Sequence, residues 1–433
     1  MQNNFVKELR WRGMLQDIVP DTEEYLIKNP STGYIGFDPT ADSLHIGNLV
    51  QIMILIHFRN AGHQPIALIG GATGMIGDPS GKSDERSLVD EDTLKKNIKG
   101  IKIQLNKLLD FSTNKKSSGV KLLNNLDWIK EYSMIDFSRE IGKHLTVNYM
   151  MSKDSVKKRL GSDAKIGMSF TEFTYQLLQG FDFLHLYRNM NCKIQMGGSD
   201  QWGNITTGAE LIRRKLGGKA YAITCPLITK ADGTKFGKTE EGNVWLDKSK
   251  TSPYKFYQYW LNSSDRDAER YIKIFTLLDQ VRISTLIEKH NLQPHERLLQ
   301  KTLAKEVTQM VHSYEDLEKA QKASNILFGK STAEDLKKLD EESFLEVFEG
   351  VPKTEISNVD FENGIDMVNL LAGKTNFIKS NGESLRALRE NSISINKTKV
   401  NDQYIVSKKD LIDNQYILLQ RGKKNYFIIK IIN

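Results

Sequence analysis

The apolar pattern between residues 34 and 71 constrains the fold of this chain most. Two short runs, YIGFD (34–38) and PIALIGG (65–71), have the pattern of buried strands, and the apolar stretch from about 46 to 60 has the pattern of a helix that ends near Gly62. Strand, helix and strand in this order form a right-handed crossover unit of a parallel sheet. The same pattern returns at 192–198, 202–216 and 221–228. We therefore expect an α/β fold built on a parallel sheet.

The rest of the chain differs in character. From about 250 to 345 the sequence is charged, helical in pattern and poor in strands, which indicates a separate helical domain. EGVPKTEISNVDFENG (349–364) has a proline, two glycines and little periodicity, which is typical of a linker. A chain of 433 residues is long enough for two to four domains. We predict an α/β domain at 1–245, an α-helical domain at 246–347, a linker at 348–365 and a basic C-terminal domain at 366–433.

Positive charge is concentrated near the end of the chain. The formal net charge is +7, and residues 366–433 hold 12 Lys and Arg against 6 Asp and Glu, so the remainder is close to neutral. A basic module on a neutral body is the expected layout when that module contacts a phosphate backbone. A solvated tail would have the same composition.

Within this basic tail the sequence predicts a small α+β unit. Ser380 and Glu383 form a capping-box pair before a helix on which Arg386 and Arg389 share a side. The sequence then predicts a turn at Asn396–Lys397 and cation-rich β structure. Such a unit suits structured RNA, which proteins recognise by its shape and backbone.

Composition excludes several classes of protein. Hydrophobic residues make up 39% and charged residues 27%, which argues against disorder. No run approaches the ~18 consecutive apolar residues of a membrane helix, and the opening residues lack the apolar core of a signal peptide. Cys192 and Cys225 fit neither a disulfide framework nor a zinc site, so we expect two buried thiols. These features predict a cytoplasmic protein with no membrane segment and no protein-bound metal.

The first turn of the apolar helix is polar. DPTADSLHIGN (38–48) places Thr40, His45, Gly47 and Asn48 at or before the helix N-terminus. Unpaired N–H groups and roughly half a positive charge make such a terminus an anion site, and phosphate is the usual anion. The glycine lets a flat base or ribose approach the backbone. For this segment alone, a packed core histidine is the more common explanation.

Two familiar phosphate-binding motifs do not fit. GDPSGKS (77–83) ends like a P-loop, but Ile76 stands where the first glycine is needed. GGATGMIG (70–77) lacks the glycine spacing of a dinucleotide-binding loop. The chain therefore uses another arrangement if it binds a nucleotide.

Three segments in chain order resemble the signature of the class I aminoacyl-tRNA synthetases. They are DPTADSLHIGN, GGSDQWGN (197–204) and KFGKT (235–239), which match the HIGH-type sequence, the Gly-Ser-Asp-Gln loop and the KMSKS-type loop. YQLLQGFD (175–182) narrows the resemblance to the bacterial tyrosyl-tRNA synthetases, and the match runs from about residue 30 to the C-terminus. This resemblance implies a Rossmann-type catalytic domain with an inserted dimerisation segment, a helical anticodon-binding domain and a C-terminal RNA-binding domain.

The chain departs from the family pattern in small ways. Asn48 stands in place of the second histidine and keeps a donor, while Gly237 stands in place of the serine and leaves the loop more flexible. MMSKDS (150–155) contains Met-Ser-Lys but precedes the Asp200 loop, whereas the lysine loop of this family follows it. We interpret MMSKDS as a structural or subunit-contact segment.

The implied reaction joins the carboxylate of tyrosine to the α-phosphate of ATP and expels pyrophosphate. Both reactants are anions and no protein nucleophile is required, so the enzyme must supply position and positive charge in the transition state. By family resemblance the catalytic residues are Thr40, His45, Lys82, Arg86, Lys235, Lys238 and Thr239. The residues expected to bind ATP are Gly36, Asp38, Gly47, Asn48, Asp200, Gln201 and Lys238. Taken singly, Lys82 and Arg86 have the pattern of surface charges.

Tyrosine recognition follows from helix geometry together with the resemblance. Tyr175, Gln179 and Asp182 fall at i, i+4 and i+7 and form one polar stripe on an otherwise apolar helix. A solvated face is the alternative, but the neighbouring residues are too apolar for it. A phenol both donates and accepts a hydrogen bond, so Asp182 can accept from the substrate while Tyr34 donates to it. We expect Asp78, Tyr175 and Gln179 to hold the ammonium group and Gln195 to lie near the carboxylate.

The resemblance also implies the partners and leaves alternative functions open. The implied partners are L-tyrosine, ATP with Mg²⁺, tRNA(Tyr) and a second copy of the chain as a homodimer. A tryptophan-specific relative shares the nucleotide motifs, but the pairing of Tyr34 with Asp182 favours tyrosine. An RNA-binding protein that keeps this fold without catalysis is the second rival, and a P-loop ATPase is a distant third. Intact His45, Lys235 and Lys238 argue against a protein that has lost catalysis.

Overall fold

The computed structural model describes residues 4–80, 89–109, 119–160, 167–239, 242–328, 333–336, 339–348, 351–361, 364–422 and 425–432. The chain forms two compact units. The first contains Met1–Thr251 and Tyr259–Val311, and the second contains Ser252–Gln258 and His312–Asn433. The domain boundaries predicted from the sequence, at 245, 347 and 365, divide the chain into consecutive segments, whereas each of these units contains two separated segments. The predicted boundaries stay predictions.

A five-stranded parallel sheet forms the centre of the first unit. Its strands are β1 (Thr32–Phe37), β2 (Gln64–Ile69), β3 (Lys121–Asn124), β4 (Cys192–Gly198) and β5 (Tyr221–Cys225). Their spatial order is β3-β2-β1-β4-β5, and all four pairings are parallel. The predicted α/β fold is therefore confirmed. The chain leaves β1 toward β2 and later returns to β4 on its other side, and ligands of such sheets bind at the carboxyl ends of the strands at this switch point.

Helices accompany this sheet along the chain. Those before β4 are α1 (Phe5–Arg12), α2 (Thr22–Lys28), α3 (Ile46–Asn60), α4 (Thr73–Ile76), α5 (Glu91–Leu109), α6 (Leu126–Ile129), α7 (Met134–Glu140), α8 (Val147–Met151), α9 (Asp154–Leu160) and α10 (Phe170–Met190). A 3₁₀ turn spans Gly142–His144. The apolar helix predicted at 46–60 is α3. It is buried on nearly all sides because it packs against β2, α1, α5 and α13, which is defined below.

The chain between β3 and β4 contains α6–α10. Arg159 and Glu172 form a buried two-pronged ion pair in it, with N–O distances of 2.8 and 2.9 Å. The MMSKDS segment lies at the end of α8 and the start of α9. Its Lys153 Nζ donates to Thr206 Oγ1 over 3.0 Å. This contact with another helix suits the structural role predicted for the segment.

After β4 the first unit is mostly helical. The elements that follow are a 3₁₀ turn (Ser199–Gln201), α11 (Trp202–Leu216), a small hairpin of β6 (Lys238–Thr239) and β7 (Gly242–Asn243), α12 (Pro253–Leu261), α13 (Asp265–Phe275), α14 (Gln280–Leu292), a 3₁₀ turn (Pro294–Glu296) and α15 (Leu298–Val311). Of α12, the residues up to Gln258 belong to the second unit. The buried Arg12 guanidinium donates to the carbonyl oxygens of Lys273, Thr276 and Leu278. It thereby satisfies backbone acceptors where α13 ends.

The second unit contains the last elements of the chain. They are α16 (Tyr314–Phe328), α17 (Ala333–Leu336), α18 (Glu341–Val347), β8 (Lys353–Ser357), α19 (Asn358–Phe361), β9 (Ile365–Asp366), a π-helical turn (Asn369–Lys374), α20 (Asn381–Arg389), β10 (Ile393–Ile395), β11 (Thr398–Lys399), β12 (Ile405–Val406), a 3₁₀ turn (Lys408–Asp410), β13 (Tyr416–Arg421) and β14 (Asn425–Ile432). A five-stranded sheet has the order β11-β10-β13-β14-β8. Asn396 and Lys397 both have positive φ, at 46° and 70°, and form the predicted turn between β10 and β11.

Part of the expected linker is regular structure. β8 lies inside 348–365 and pairs in parallel with β14, with Ile356 opposite Ile431. The expectation of an irregular segment there is thus corrected. Paired residues of the two strands are 75 positions apart in the chain, so local pattern carried no signal for the pairing.

No helix in the described residues is long and apolar enough to cross a membrane.

Candidate active site

A cavity of about 320 Å³ opens beside the carboxyl ends of β1, β2 and β4. It lies at the switch point of the sheet, where a ligand site is expected. Many of the residues predicted for tyrosine and ATP line it: Tyr34, Gly36, Asp38, Thr40, His45, Asn48, Asp78, Tyr175, Gln179, Asp182, Gln195, Asp200 and Gln201. The structure thus brings together residues from four separate stretches of the sequence, 34–48, 78, 175–182 and 195–201.

Asp182 on α10 is a buried carboxylate in this cavity, held by two donors. Asn125 Nδ2 donates to Oδ2 over 2.9 Å, and Trp128 Nε1 donates to Oδ1 over 2.8 Å. Burial nevertheless dominates and raises the pKa of Asp182 to about 7, because a charged carboxylate is poorly solvated there. A ligand that donates a hydrogen bond would stabilise the ionised form.

Tyr34 at β1 presents an unused hydroxyl to the same cavity. Its side chain is 1% exposed, and its Oη has no hydrogen-bond partner among the described residues. The pKa of Tyr34 is raised well above its usual range by burial and then by the charge of Asp182. An orphaned buried hydroxyl beside a carboxylate is a costly arrangement that a hydroxyl-bearing ligand relieves.

The predicted polar stripe of α10 faces the cavity. The helix begins with Ser169 and Glu172 in a reciprocal capping box. Tyr175 Oη donates to Asp38 Oδ2 over 2.7 Å. Burial and then the carboxylates of Asp38 and Asp78 raise the pKa of Tyr175. Two carboxylates and a phenol oxygen around one spot favour a bound cation such as an ammonium group.

A network of amides orients Asp78. Gln201 Nε2 donates to Asp78 Oδ2 over 2.6 Å, and Asn204 Nδ2 lies 3.0 Å from Gln179 Oε1 and 3.5 Å from Asp78 Oδ1. Asp200 lines the cavity nearby, and burial followed by the charge of Asp78 raises its pKa. The turn after β4 therefore connects Asp78, which is predicted to hold the ammonium group of tyrosine, with Gln201, which is predicted to bind ATP.

The start of α3 fixes the orientation of its histidine. His45 Nδ1 accepts from the Gly47 N–H over 3.0 Å, so in the neutral ring Nε2 carries the proton. Asn48 Oδ1 accepts from the His45 N–H over 3.1 Å. Burial and the charge of Lys238 lower the pKa of His45, which favours the neutral ring. His45 is therefore built as a hydrogen-bond donor.

Gly47 and Gly36 serve different purposes. A Cβ at Gly47 would lie 2.7 Å from His45 Cε1, so a side chain there would displace the imidazole. This adds a reason for glycine beyond the approach of a base or ribose. A Cβ at Gly36 would meet nothing within 4 Å, so its backbone is open toward the cavity.

A second cavity, of about 310 Å³, adjoins the first and shares Asp38, Thr40, His45 and Asn48 with it. Lys238 lines this cavity together with Trp245. The lysine loop is tied to α3 through backbone bonds from Val244 N–H to the Gly237 oxygen and from Ile46 N–H to the Val244 oxygen, both 3.0 Å. One lysine of the KFGKT segment is thus placed beside the helix terminus.

Other predicted cations are placed differently. Lys235 is exposed and lines neither cavity. Lys82 and Arg86 lie outside the described residues, and so does the side chain of Thr239. Their catalytic roles stay predictions.

The described part of the chain holds no group of three or more His, Cys, Asp or Glu side chains placed to bind a metal ion. Cys192 and Cys225 are both buried free thiols, as predicted.

Sequence reasoning missed the residues that hold the predicted ones. Asn125, Trp128 and Asn204 contact Asp182 and Gln179, and Thr73 Oγ1 donates to Asp38 Oδ1 over 2.8 Å. Asn125 follows the last residue of β3, at the edge where parallel strands end. The position of Asn125 just after a strand was the one available signal.

Fold and motifs place this chain among the class I aminoacyl-tRNA synthetases. A family model for tRNA synthetases class I (W and Y) matches residues 27–329, and a model for the C-terminal domain of tyrosine–tRNA ligases matches residues 343–429. The chain belongs to the tyrosine–tRNA ligase family.

Relatives and solved structures agree with this assignment. The chain is 63% identical to the tyrosine–tRNA ligase of Flavobacterium johnsoniae, over 99% of this chain and 100% of that one. It is 62% identical to that of Bacteroides fragilis, over 98% and 99%. The truncated mitochondrial tyrosyl-tRNA synthetase of Coccidioides posadasii is 33% identical, with a TM-score of 0.65 over 74% of this chain and 91% of that one.

Proposed function

We propose that this chain activates L-tyrosine with ATP to tyrosyl-adenylate and pyrophosphate, and then transfers tyrosine to the 3′ end of tRNA(Tyr). The choice of tyrosine as the amino acid rests on one observation, which is that Tyr34 and Asp182 lie together in one buried end of the cavity. Tyr34 offers a donor and Asp182 an acceptor, which are the two partners of a phenol. An indole offers only a donor and would leave Tyr34 unused, so tyrosine fits better than tryptophan.

The remaining polar groups suit the other end of tyrosine. Asp78, Tyr175 and Gln179 bind the ammonium group, and Asp38 adds a second negative charge beside it. Gln195, whose buried Oε1 has no partner among the described residues, lies toward the carboxylate end. These contacts hold the carboxylate oxygen in line with the α-phosphorus of ATP.

In the activation step a carboxylate oxygen of tyrosine attacks the α-phosphorus. The bond from this phosphorus to the bridging oxygen breaks, and pyrophosphate leaves with the electron pair. Gly36, Gly47 and Asn48 lie against the nucleoside, while Asp200 and Gln201 lie against the ribose. Mg²⁺ arrives with ATP as part of the substrate.

Positive and hydrogen-bonding groups stabilise the leaving charge. His45 Nε2–H and Thr40 line both cavities and donate from the α3 side, and Lys238 contributes a cation from the adjoining cavity. Lys82, Arg86, Lys235 and Thr239 complete the set by family resemblance. Donors and cations aimed at charge that develops in the transition state lower the barrier without binding the ground state equally.

The basic C-terminal domain binds tRNA. Arg386 and Arg389 are exposed on α20. Exposed cations on a small α+β unit suit the backbone of structured RNA.

The chain acts as a cytoplasmic homodimer. The helices between β3 and β4, including the start of α10, expose large apolar side chains. These are Met134 at 76%, Ile135 at 70%, Val147 at 59%, Met151 at 43% and Phe170 at 72%. Neighbouring exposed apolar residues of this size are typical of a protein interface. Replacing Met134 and Ile135 with serine is expected to shift the mass measured by sedimentation toward the monomer.

Exchange of labelled pyrophosphate into ATP, tested with each amino acid in turn, decides the activity. We expect exchange with tyrosine and none of comparable rate with phenylalanine or tryptophan. Equal exchange with tryptophan would support the tryptophan-specific rival, and no exchange with any amino acid would support a non-catalytic RNA-binding protein.

A further inference from the structure

The backbone between β1 and α3 is irregular, although it carries Asp38, Thr40 and His45 of the proposed reaction. Residues 38–44 form bends and no helix or strand. Backbone N–H and C=O groups in such a segment need partners from elsewhere in the protein. Here side chains of α5 supply partners near both ends of the segment.

Asn97 holds the first end. Its side chain is 5% exposed, and Nδ2 donates to the carbonyl oxygen of Pro39 over 3.0 Å. Pro39 directly precedes Thr40. The position of the Thr40 backbone therefore depends on a buried amide from another element.

Gln104 holds the second end. Its Oε1 accepts from the Leu44 N–H over 2.7 Å, and its Nε2 donates to Ser43 Oγ over 2.9 Å. Leu44 directly precedes His45, and its carbonyl oxygen accepts from the Leu246 N–H over 2.8 Å. Both backbone groups of Leu44 are thus fixed.

Between these two contacts Lys96 Nζ lies 3.3 Å from Asp42 Oδ2, and the backbone of α5 approaches the segment closely at Gly100. A Cβ at Gly100 would lie 2.0 Å from the carbonyl oxygen of Asp42. Asn97, Gly100 and Gln104 are at i, i+3 and i+7, so they lie on one face of the helix. That face follows the irregular segment over its whole length.

We propose that Asn97 and Gln104 are positioning residues for tyrosine activation. They act through the backbone of residues 39–44 and set where Thr40 and His45 meet the phosphates of ATP. This inference rests on the proposed roles of Thr40 and His45. A misplacement of about 1 Å in such a group costs on the order of 100-fold in rate.

The tyrosine pocket is held by other contacts. Asp182 is fixed by Asn125 and Trp128, and the carboxylate of Asp38 accepts hydrogen bonds from Thr73 and Tyr175. None of these four partners lies on α5. Loss of the α5 contacts is therefore expected to slow adenylate formation while tyrosine binding is kept. A general loss of folding would lower both together.

The test is single-turnover formation of tyrosyl-adenylate, normalised to titrated active sites, in the full-length protein. The variants are Asn97→Leu and Gln104→Leu, which remove the contacts, and Gln104→Glu, which keeps an acceptor for the Leu44 N–H. Asn106→Leu is the matched control, because Asn106 is an exposed amide on the same helix. Thermal unfolding and tyrosine affinity are measured for each variant.

We expect the rate per active site to fall about 10- to 100-fold in Asn97→Leu and Gln104→Leu, with tyrosine affinity within about twofold of the parent. Gln104→Glu is expected to recover most of the rate, and Asn106→Leu to match the parent. The proposal is overturned if a folded Asn97→Leu or Gln104→Leu protein keeps the parental rate, or if rate and tyrosine affinity fall together. If one variant does not fold, the other decides, since they hold opposite ends. A parent that forms no adenylate would instead refute the proposed function.

Discussion

Trp128 Nε1 donates a hydrogen bond to Asp182 Oδ1 over 2.8 Å, although the two residues are 54 positions apart in the chain. The bond favours the ionised carboxylate, while burial opposes it more strongly. Burial and the opposing hydrogen bonds from Asn125 and Trp128 leave the pKa of Asp182 at about 7. Substrate recognition is therefore expected to depend on pH.

Tyrosine affinity should rise between pH 6 and pH 8. Asp182 must be ionised to accept from the substrate phenol without a competing proton, and its pKa of about 7 places the change in that interval. Equilibrium dialysis with labelled tyrosine measures it. Trp128→Phe should move the midpoint to higher pH, because it removes a donor that lowers the pKa of Asp182. Trp11→Phe is the control, and an unmoved midpoint in Trp128→Phe would contradict the assignment.

The same shift has a consequence for stability. The unfolded chain releases the Asp182 proton near pH 3.8, whereas the folded chain keeps it to about pH 7. The folded state then binds more protons between these values, so this group lowers the free energy of unfolding as pH rises through the interval. Asp182→Asn should therefore gain melting temperature relative to the parent from pH 5 to pH 8. A constant difference across this range would argue against a raised pKa.

Tyr34→Phe should weaken tyrosine binding and leave the fold intact. It removes a hydrogen bond to the substrate worth about 1 kcal/mol, or roughly fivefold in affinity. The unliganded protein should not lose stability, because the Tyr34 hydroxyl has no partner among the described residues. Phenylalanine should become a better competitor of tyrosine in pyrophosphate exchange. Unchanged affinity for tyrosine would place its phenol elsewhere.

Lys238→Ala should slow adenylate formation by about 100-fold or more with little change in tyrosine affinity. Lys238 faces the cavity beside His45, where charge on the leaving pyrophosphate is expected to develop. Lys235→Ala should also slow the step, since its role follows from the resemblance even though it lines neither cavity here. Stopped-flow measurement of the first turnover separates rate from binding. A large loss of tyrosine affinity in Lys238→Ala would count against a transition-state role.

Replacing Arg386 and Arg389 with alanine should impair tRNA charging and spare pyrophosphate exchange. Both side chains are exposed, and each lost phosphate contact should also flatten the salt dependence of tRNA binding. Whole-chain variants are preferable to deletion of 366–433, because β8 pairs with β14 and would lose its neighbour. Lys7 and Lys28, exposed near the other end of the chain, give a matched double substitution. Equal losses in charging and exchange would indicate damage to the fold instead.

Local pattern predicted the parts of the fold that are locally determined. The predicted spans of α3, β4 and α11 agree with the structure because uninterrupted apolar runs and their polar ends mark them. β8 was missed because its pairing with β14 is a contact between distant segments.

The residues of the candidate site were likewise predicted where local sequence identifies them and missed where only folding does. Tyr34, His45 and Asp182 were predicted because motif and helix spacing identify them. Asn125, Gln104 and Asn97 were missed because each matters only through a partner that folding brings close. No pattern within α5 distinguishes Asn97 and Gln104 from ordinary surface amides.

A crystal structure with a non-hydrolysable tyrosyl-adenylate analogue tests the central claim most directly. The account predicts the phenol between Tyr34 and Asp182, and the phosphate beside His45 Nε2 at the start of α3, with Lys238 on its other side. An analogue bound with its phosphate away from α3, or with its phenol outside the Asp182 pocket, would contradict it.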